Sequence, residues 1–403
     1  VQPPDGNHLE ESGGDGGMRY TIGQLAEIID GDRGKNYPKQ DEFYPQGYCL
    51  FLNTGNVTKE GLTFEENQFI TKEKDEALRK GKLKRGDIVY TTRGTVGNAG
   101  YYNSNVPYEN VRINSGMVIL RANGEIVDAR FLYQILKSEY YRPYFKQYCT
   151  GSAQPQLPIK NFSQIYLNVP DIKTQHRIAD ILSAYDDLIE NNQKQIKLLE
   201  EAAQRLYKEW FVDLRFPGHE NTKIVDGVPE GWIKEEIGKI IKKVHRTKQI
   251  VASEYKDEGS IPIVDQSRAF VAGYTNDLEA RVDFGIPIIV FGDHTRIVKL
   301  IQFPFAKGAD GTQLIISDCL EMPQRLLYCS IMNVDLSNYH YARHFKYLKE
   351  EKIMIPTVKV ANEFENNVTG IFSKIQNCRD EIIRCQKTRD LLLPKLMSGE
   401  VEV

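Results

Sequence analysis

The sequence predicts an α+β protein: two mixed α/β domains with curled sheets, separated by two long antiparallel coiled-coil helices, with an internal pseudo-two-fold repeat. Three observations carry this prediction. The chain has 403 residues, too many for one ordinary hydrophobic core, so at least two domains are expected. Two segments have the apolar spacing of long helices. These segments lie 186 positions apart, as do the prolines that precede them, Pro170 and Pro356.

The first long helix is predicted over residues 174–211, which contain neither glycine nor proline. Its apolar positions recur after alternating steps of four and three residues, which is the spacing of a coiled-coil seam. A single polar residue on such a seam fixes the register and orientation of the paired helices at a cost in stability. The predicted seam consists of Ile178, Leu182, Tyr185, Ile189, Asn192, Ile196 and Leu199, and continues through Ala203, Leu206 and Trp210.

The second long helix is predicted over residues 360–393, in which Gly370 is the one glycine. Only Arg389 breaks its apolar pattern, and Glu200 or Glu201 is the expected partner for that charge. A shared seam at an offset near half the chain indicates a duplicated unit of one domain followed by one helix. Moving the first seam by 186 positions gives Phe364, Val368, Ile371, Ile375, Cys378, Ile382, Cys385, Arg389, Leu392 and Leu396.

The domain boundaries follow from these helices. Residues 1–17 are polar and rich in Gly, Asp and Glu, and we interpret them as a tag or a disordered tail. The first domain is predicted over residues 18–170, the central helix over 171–215, a linker with the second domain over 216–355, and the distal helix over 356–403. Short β-branched and aromatic runs bounded by Gly, Asn and Asp predict strands in both domains.

The composition argues against several classes of protein. With 41% hydrophobic residues and no apolar run near the ~20 residues that a membrane helix needs, a membrane role is not expected. The six cysteines form no Cys-x-x-Cys pair, which favours a reducing, cytoplasmic setting without a zinc site. The net charge of −3 restricts any nucleic-acid surface to a local patch, because non-specific affinity grows with the number of neutralised phosphates.

Motifs for catalysis are absent from the sequence. It contains no Gly-x-x-x-x-Gly-Lys-Ser/Thr phosphate loop, no Gly-x-Gly-x-x-Gly, no His-Glu-x-x-His and no Asn-Pro-Pro-Tyr/Phe. The Glu-Glu-Lys triplet at residues 350–352 could be half of a nuclease site, but such triplets are common on helix surfaces. We therefore expect no catalytic residue, no metal site and no cofactor in this chain.

Several sequence runs, taken in order, resemble a known family. They are Gly-Asp-Ile-Val-Tyr-Thr-Thr-Arg-Gly-Thr-Val-Gly-Asn at residues 86–98, Gly-Ser-Ala-Gln at 151–154, the stretch 170–182, Leu-Tyr-Lys-Glu-Trp-Phe at 206–211 and Val-Pro-Glu-Gly-Trp at 228–232. This order is similar to that of the specificity (S) subunit of Type I restriction-modification systems, over nearly all of residues 18–403. The second domain departs from it, with Val-Phe-Gly-Asp-His-Thr-Arg at 290–296 in place of the Thr-Arg-Gly-Thr run.

The resemblance implies two target-recognition domains, each reading one half of a split site in double-stranded DNA. It also implies that the helices space the domains and dock two modification (methyltransferase) subunits, and that restriction/translocase subunits join the complex. Catalysis would then belong to those partners, together with S-adenosylmethionine, ATP and Mg²⁺. A coiled-coil adaptor whose domains bind proteins without DNA specificity is the alternative, and an enzyme fused to its own reader is a third possibility that the missing motifs disfavour.

Candidate DNA contacts are the basic and amide side chains on glycine-rich loops. Arginine suits guanine or phosphate, and a side-chain amide suits bidentate contact with adenine. In the first domain the candidates are Lys82, Lys84, Arg85, Thr92, Arg93, Thr95, Asn98, Gln154 and Gln156. In the second domain they are Arg268, His294, Arg296, Lys307, Tyr341 and Arg343.

Each candidate also has a structural interpretation. Arg93 could be the solvated tip of an ordinary hairpin, and Lys82, Lys84 and Arg85 could form a solvated face. The Gly151 to Gln156 loop could be a turn that packs on the start of a helix. In the second domain Tyr339, His340, Tyr341, Arg343 and His344 occupy the corresponding position before the helix, and core packing of the two tyrosines is favoured over base contact.

Overall fold

The computed structural model describes residues 17–151, 154–244, 247–339 and 343–402. The expected tail at residues 1–17 therefore lies outside the described residues, apart from Gly17. The chain divides into two compact units. The first unit comprises residues 1–190 with 382–403, and the second comprises residues 191–381.

The first unit contains a mixed domain and parts of two long helices. Its central sheet has the strand order β2-β10-β7-β8, and a second sheet has the order β6-β3-β9. Its strands are β1 Met18–Thr21, β2 Ala26–Asp30, β3 Cys49–Leu52, β4 Val57–Thr58, β5 Gly61–Leu62, β6 Phe69–Ile70, β7 Ile88–Thr91, β8 Ala99–Tyr101, β9 Val111–Ile113, β10 Met117–Ala122 and β11 Tyr166–Val169. Its short helices are α1 Ile22–Leu25, α2 Lys72–Ala77, α3 Ala129–Lys137, α4 Arg142–Lys146 and α5 Ile159–Ser163.

The second unit has a related plan with sheets of different sizes. Its sheets have the orders β20-β19-β22 and β15-β21-β16-β17, with β18 also paired to β21. Its strands are β12 Ile224–Val225, β13 Val228–Pro229, β14 Ile233–Glu236, β15 Gln249–Ile250, β16 Ile261–Val264, β17 Gly273–Thr275, β18 Arg281–Val282, β19 Ile288–Gly292, β20 Val298–Ile301, β21 Phe305–Gly308, β22 Thr312–Ile315 and β23 Lys352–Ile355. Its short helices are α7 Gln324–Met332 and α8 His344–Glu350.

The internal repeat holds at the level of single backbone contacts. Strands β1 and β11 pair antiparallel in the first unit, as β14 and β23 do in the second. The next residue after the opening strand donates its N–H in the same way in both units: Ile22 to the carbonyl of Ile165 at 2.8 Å, and Ile237 to that of Glu351 at 2.9 Å. The predicted α+β fold with an internal repeat is confirmed.

The two long helices begin 186 residues apart, as the prolines predict. They are α6 Ile172–Tyr207 and α9 Val358–Met397. Helix α6 continues as a π-helical turn, Lys208–Val212, where the sequence predicted regular helix. Every predicted seam residue on α6 is buried or half-buried, namely Ile178, Leu182, Tyr185, Ile189, Asn192, Ile196 and Leu199.

On α9 the predicted seam is correct at most positions and shifts by one residue at two of them. Phe364, Val368 and Ile375 are buried, and Ile382 is half-buried. Ile371 and Leu392 are only half-buried, whereas the adjacent Phe372 and Leu393 are buried in the core. This shift arises because each end of α9 also packs against a domain, which widens the buried face beyond a strict coiled-coil seam.

In the first unit the helices pack on the domain through both apolar and charged contacts. Ile178 and Leu182 of α6 share one core with Leu393 and Leu396 of α9 and with the domain. The expected pairing of Arg389 with Glu200 or Glu201 is wrong: Arg389 bonds Asp186 at 2.8 Å. Arg389 corresponds to Ala203 in the repeat. Because the two helices run antiparallel, however, Arg389 packs against Asp186 and not against residues near position 203.

In the second unit an aromatic cluster joins the two helices. Phe364 of α9 contacts the rings of Tyr207, Trp210 and Phe211, with centroid distances of 5.1 to 6.4 Å. Glu200, which was expected to pair with Arg389, instead accepts from Arg379 at 2.8 Å. The core of this unit therefore includes residues of both helices and of the domain.

Candidate DNA interface

The turn between β7 and β8 forms the first part of the site in the first unit. The carbonyl of Gly116 accepts hydrogen bonds from the backbone N–H groups of Thr92 at 2.9 Å and Arg93 at 3.1 Å. Gly94 and Gly97 adopt φ angles of +72° and +101°, which glycine tolerates at no steric cost. These features fix the path of the turn and leave the side chains of Arg93 and Thr95 exposed.

The segment before helix α5 lies against this turn. Thr150 and Gln156 exchange two backbone hydrogen bonds around Gly151, and Arg93 forms a β-bridge with Gln156. The N–H of Leu157 donates to the carbonyl of Thr92 at 2.9 Å. Two motifs that are about sixty residues apart in the sequence are thus brought together, with the side chains of Gln154 and Gln156 exposed.

Thr92 and Asn98 do not present their side chains as the sequence led us to expect. Both are buried, at 4% and 5% exposure. The Thr92 hydroxyl donates to the carbonyl of Gly116, and the Asn98 amide donates to the carbonyl of Val57 at 2.9 Å. These side chains hold the turn in shape, because each satisfies a buried backbone carbonyl.

The basic cluster beside the turn is largely engaged within the protein. The Lys82 ammonium bonds Asp75, which also binds the buried guanidinium of Arg112. The Arg85 guanidinium donates to the carbonyls of residues 103, 106 and 108 and lies 4.2 Å from the ring centroid of Tyr102. We therefore leave Lys82 and Arg85 out of the proposed interface, and Lys84 remains exposed beside it.

The second unit builds the same framework from different residues. The N–H of Asp293, in the turn between β19 and β20, donates to the carbonyl of Gly311 at 2.7 Å, as Thr92 does to Gly116. The N–H of His344 donates to the carbonyl of Asp293 at 2.9 Å, as Leu157 does to Thr92. The segment before α8 therefore occupies the place of the Gly151 to Gln156 loop, as the sequence predicted.

The candidate residues of the second unit differ in how they are held. His294, Arg268 and Arg343 are exposed. Arg296 adopts a φ of +61° and donates to the carbonyl of Leu336 at 3.1 Å, which ties its guanidinium to a neighbouring loop. Lys307 is half-buried, and burial lowers the pKa of its ammonium. Tyr341 lies outside the described residues, as does His340.

Tyr339 and His344 have structural contacts. The Tyr339 ring stacks on Tyr347 with a centroid distance of 4.1 Å, and its hydroxyl donates to Glu351. The buried His344 ring places its two nitrogens 2.9 Å from the carbonyls of Asp293 and Tyr339. Packing rather than base contact is therefore the role that the structure gives to Tyr339.

Two residues that the sequence analysis missed organise the second unit's loops. Gln266 connects two of them through its amide, and Lys299 is buried inside strand β20. A lysine within the apolar run Val-Lys-Leu-Ile at 298–301 was the available signal, because a buried charge in a strand needs a specific partner. Gln266 carried no such signal, since its role depends on contacts made through the fold.

No group of three or more His, Cys, Asp or Glu residues among the described residues is arranged to hold a metal ion. None of the helices in the described part of the chain is long and apolar enough to cross a membrane.

Comparisons with known proteins agree with the resemblance seen in the sequence. A family model described as the Type I restriction modification DNA specificity domain matches residues 16–201. The Type I restriction enzyme MjaIX specificity subunit of Methanocaldococcus jannaschii is 28% identical over 364 residues, covering 82% of this chain and 81% of that protein. The HindI specificity subunit of Haemophilus influenzae is 32% identical over 186 residues, covering 45% of this chain and 40% of that protein.

The fold also has a solved counterpart. The crystal structure of a Type I restriction-modification system S subunit from M. genitalium matches with a TM-score of 0.55 at 16% sequence identity. The match covers 96% of this chain and 97% of that one. At this level of identity the match establishes likeness of fold.

Proposed function

We propose that this chain is a Type I restriction-modification DNA specificity subunit, and that it reads a bipartite, asymmetric site in double-stranded DNA. One observation carries the proposal. In both units equivalent backbone hydrogen bonds join the hairpin turn to the segment before the next helix. These paired loops expose side chains of the types that read base edges.

The two surfaces would read different sequences because they carry different side chains. In the first unit the exposed set is Arg93, Thr95, Gln154 and Gln156, which offers one guanidinium for guanine and two amides for adenine. In the second unit the exposed set is Arg268, His294 and Arg343. Two unlike sets imply two unlike half-sites, so the full target would not be palindromic.

Phosphate contacts would position these loops without specifying sequence. Lys84 is the exposed lysine beside the first turn. With a net charge of −3 the chain cannot rely on a broad basic surface, so its affinity for random DNA should be low and confined to these patches.

Partner subunits would perform the chemistry. We propose that two methyltransferase subunits and the restriction subunits assemble on this chain, and that S-adenosylmethionine, ATP and Mg²⁺ bind to them. The full chain alone should then neither methylate nor cleave DNA. Methylation by this chain without a partner would contradict the non-catalytic role.

Binding to duplex DNA tests the central claim. The full chain, alone and with its methyltransferase partner, should select a two-part motif from a random duplex library. Its affinity should fall steeply as salt rises, because phosphate contacts release counterions. An adaptor that binds only proteins would select no motif and would show no such salt dependence.

A further inference from the structure

Lys299 lies inside strand β20 of the second unit, where a charged residue is unfavourable for folding. Its side chain is 5% exposed and sits between apolar neighbours in the Val-Lys-Leu-Ile run at 298–301. Burial lowers the pKa of its ammonium to about 8, although Asp265 opposes the shift. Burying such an amine costs more free energy than burying an apolar side chain, so its hydrogen bonds must offset this desolvation cost.

The Lys299 ammonium holds one loop. We name residues 265–272, between β16 and β17, the Arg268 loop. The ammonium donates to the carbonyl of Asp265 at 2.8 Å and to the carbonyl of Ala269 at 2.5 Å. It therefore clamps the loop on both sides of Arg268, whose side chain is exposed. Charge-assisted hydrogen bonds are stronger and shorter than neutral ones, which suits this clamp.

Gln266 ties the same loop to the rest of the candidate surface. Its amide donates to the carbonyl of Asp310 at 2.9 Å and accepts from the N–H of His294 at 3.0 Å. Its backbone carbonyl accepts from the hydroxyl of Thr295 at 2.7 Å. The Arg268 loop is thus fixed beside the turn that presents His294.

In the first unit a glycine, Gly100, occupies the position that corresponds to Lys299. Gly100 pairs with Val89 in the β7–β8 hairpin, and Lys299 pairs with Val290 in the β19–β20 hairpin. A Cβ on Gly100 would lie 2.5 Å from a methyl group of Leu62, so that space is filled by strand β5. The space beside Gly100 is therefore filled by the apolar side chain of Leu62, and Gly100 carries no charged group that could hold a loop.

We propose that Lys299 is a positioning residue, and that it holds the Arg268 loop as a base-reading element for the second half-site. The proposal rests on the proposed function of the chain as a DNA reader. It assigns to the second domain a specificity element that the hairpin turn and the pre-helix segment do not provide. Lys299 itself would contact no DNA, because its ammonium is buried under the loop.

The test compares motifs selected from a random duplex library by the full chain, with its methyltransferase partner where binding requires it. Lys299→Met keeps the length of the side chain and removes the donors. It should lower discrimination about tenfold at one or two base pairs of the second half, within the range for a lost base contact. Discrimination in the first half should not change. Arg268→Ala should relax the same base pairs.

Lys137→Met is the matched control, since Lys137 in the first unit is 4% exposed and its pKa is also lowered to about 8 by burial. It should leave the second half-site unchanged. If Lys299→Met does not fold, the variants Arg268→Ala and Gln266→Ala test the same prediction, namely relaxed discrimination in the second half-site. A folded Lys299→Met variant, or Arg268→Ala, that selects a second half as sharply as the wild type would overturn the proposal. A wild-type chain that selects no motif would instead refute the proposed function.

Discussion

The two units differ in the contacts that join each domain to the long helices. Charged side chains form these contacts in the first unit, and aromatic rings form them in the second. Asp186 on α6 accepts hydrogen bonds from Gln134 and Lys137 at 2.6 Å and from Arg389 at 2.8 Å. The position 186 residues later is Phe372, whose ring contacts Tyr328 at 5.6 Å. The repeat therefore preserves the place of the contact and not its chemistry.

The framework that survives in both units is made of backbone. The hydrogen bonds that join the turns to the pre-helix segments recur in both units with nearly equal lengths. So do the hydrogen bonds from the N–H groups of Ile22 and Ile237 to the residue before the closing strand. Side chains at matched positions can differ completely, as Gly100 and Lys299 do. In such a repeat, loops can change their chemistry without loss of the scaffold, which is the property that a reader of two unlike half-sites requires.

The largest effect is expected at the charged junction. Asp186→Ala should lower the free energy of unfolding of the first unit by about 3 kcal/mol, because it leaves the buried ammonium of Lys137 without its carboxylate and leaves the half-buried Arg389 with Asp390 alone. Denaturant unfolding measures the loss. Phe372→Ala should cost a similar amount, about 3 kcal/mol, in the second unit through the cavity it leaves.

A chemical exchange sharpens this comparison. Replacing Lys137 with Met, Asp186 with Phe and Arg389 with Ala gives the first unit the residues found at the matched positions of the second, of which Phe372 and Ala203 are buried and Met332 is exposed. Because buried ion pairs are often replaceable by apolar groups of similar volume, the triple variant should recover most of the stability lost by Asp186→Ala. If it is no more stable than the single variant, the two junctions are not equivalent.

A smaller effect is expected at the exposed loops. Arg93→Ala should weaken DNA binding by about 1 to 3 kcal/mol, and, if Arg93 reads a base, should relax specificity in the first half alone. Its counterpart His294→Ala should affect only the second half. Binding of duplexes with single changes in either half measures both effects. Loss of discrimination in both halves from either variant would contradict the assignment of one half-site to each unit.

The sequence predicted the repeat, the long helices and most of the seam, because these depend on periodicity and on an offset between two runs. It also identified Arg93 and the Gly151 to Gln156 loop as separate candidate DNA contacts, but it did not predict that they lie side by side. It could not predict the partner of Arg389, since that depends on how two antiparallel helices are staggered. Nor could it show that Thr92, Asn98 and Arg85 are engaged internally, because hydrogen bonds to distant carbonyls arise only from the folded chain.

The two buried lysines allow a comparison through pH. Lys137 and Lys299 have pKa values lowered by burial to about 8 from 10.5. Between these values the unfolded chain binds more protons than the folded chain, so these lysines make the free energy of unfolding rise with pH. Lys137→Met should remove one contribution and Lys299→Met the other, and each should reduce the rise between pH 7.5 and 9.5 by about 2 kcal/mol. Urea unfolding at both pH values measures the change, and a variant with the full wild-type rise would show that its lysine keeps an ordinary pKa.

The smallest effect is expected at a pair of matched glycines in the conserved framework. A Cβ on Gly23 would lie 3.1 Å from the carbonyl oxygen of Ser163, and one on Gly238 would lie 3.0 Å from that of Lys349. If either glycine is replaced by alanine, the neighbouring carbonyl must move by a few tenths of an ångström. Each carbonyl lies near the backbone hydrogen bond donated by Ile22 or by Ile237, and that bond resists the movement.

Gly23→Ala and Gly238→Ala should therefore each destabilise their own unit by about 1 kcal/mol or less, since the strain is partly offset by the reduced entropy of the unfolded chain. Denaturant unfolding of the two variants measures both values, and we expect them to be similar, because the two glycines meet matched carbonyl oxygens at nearly equal distances. A large cost at one glycine and none at the other would show that the backbone framework has diverged along with the side chains.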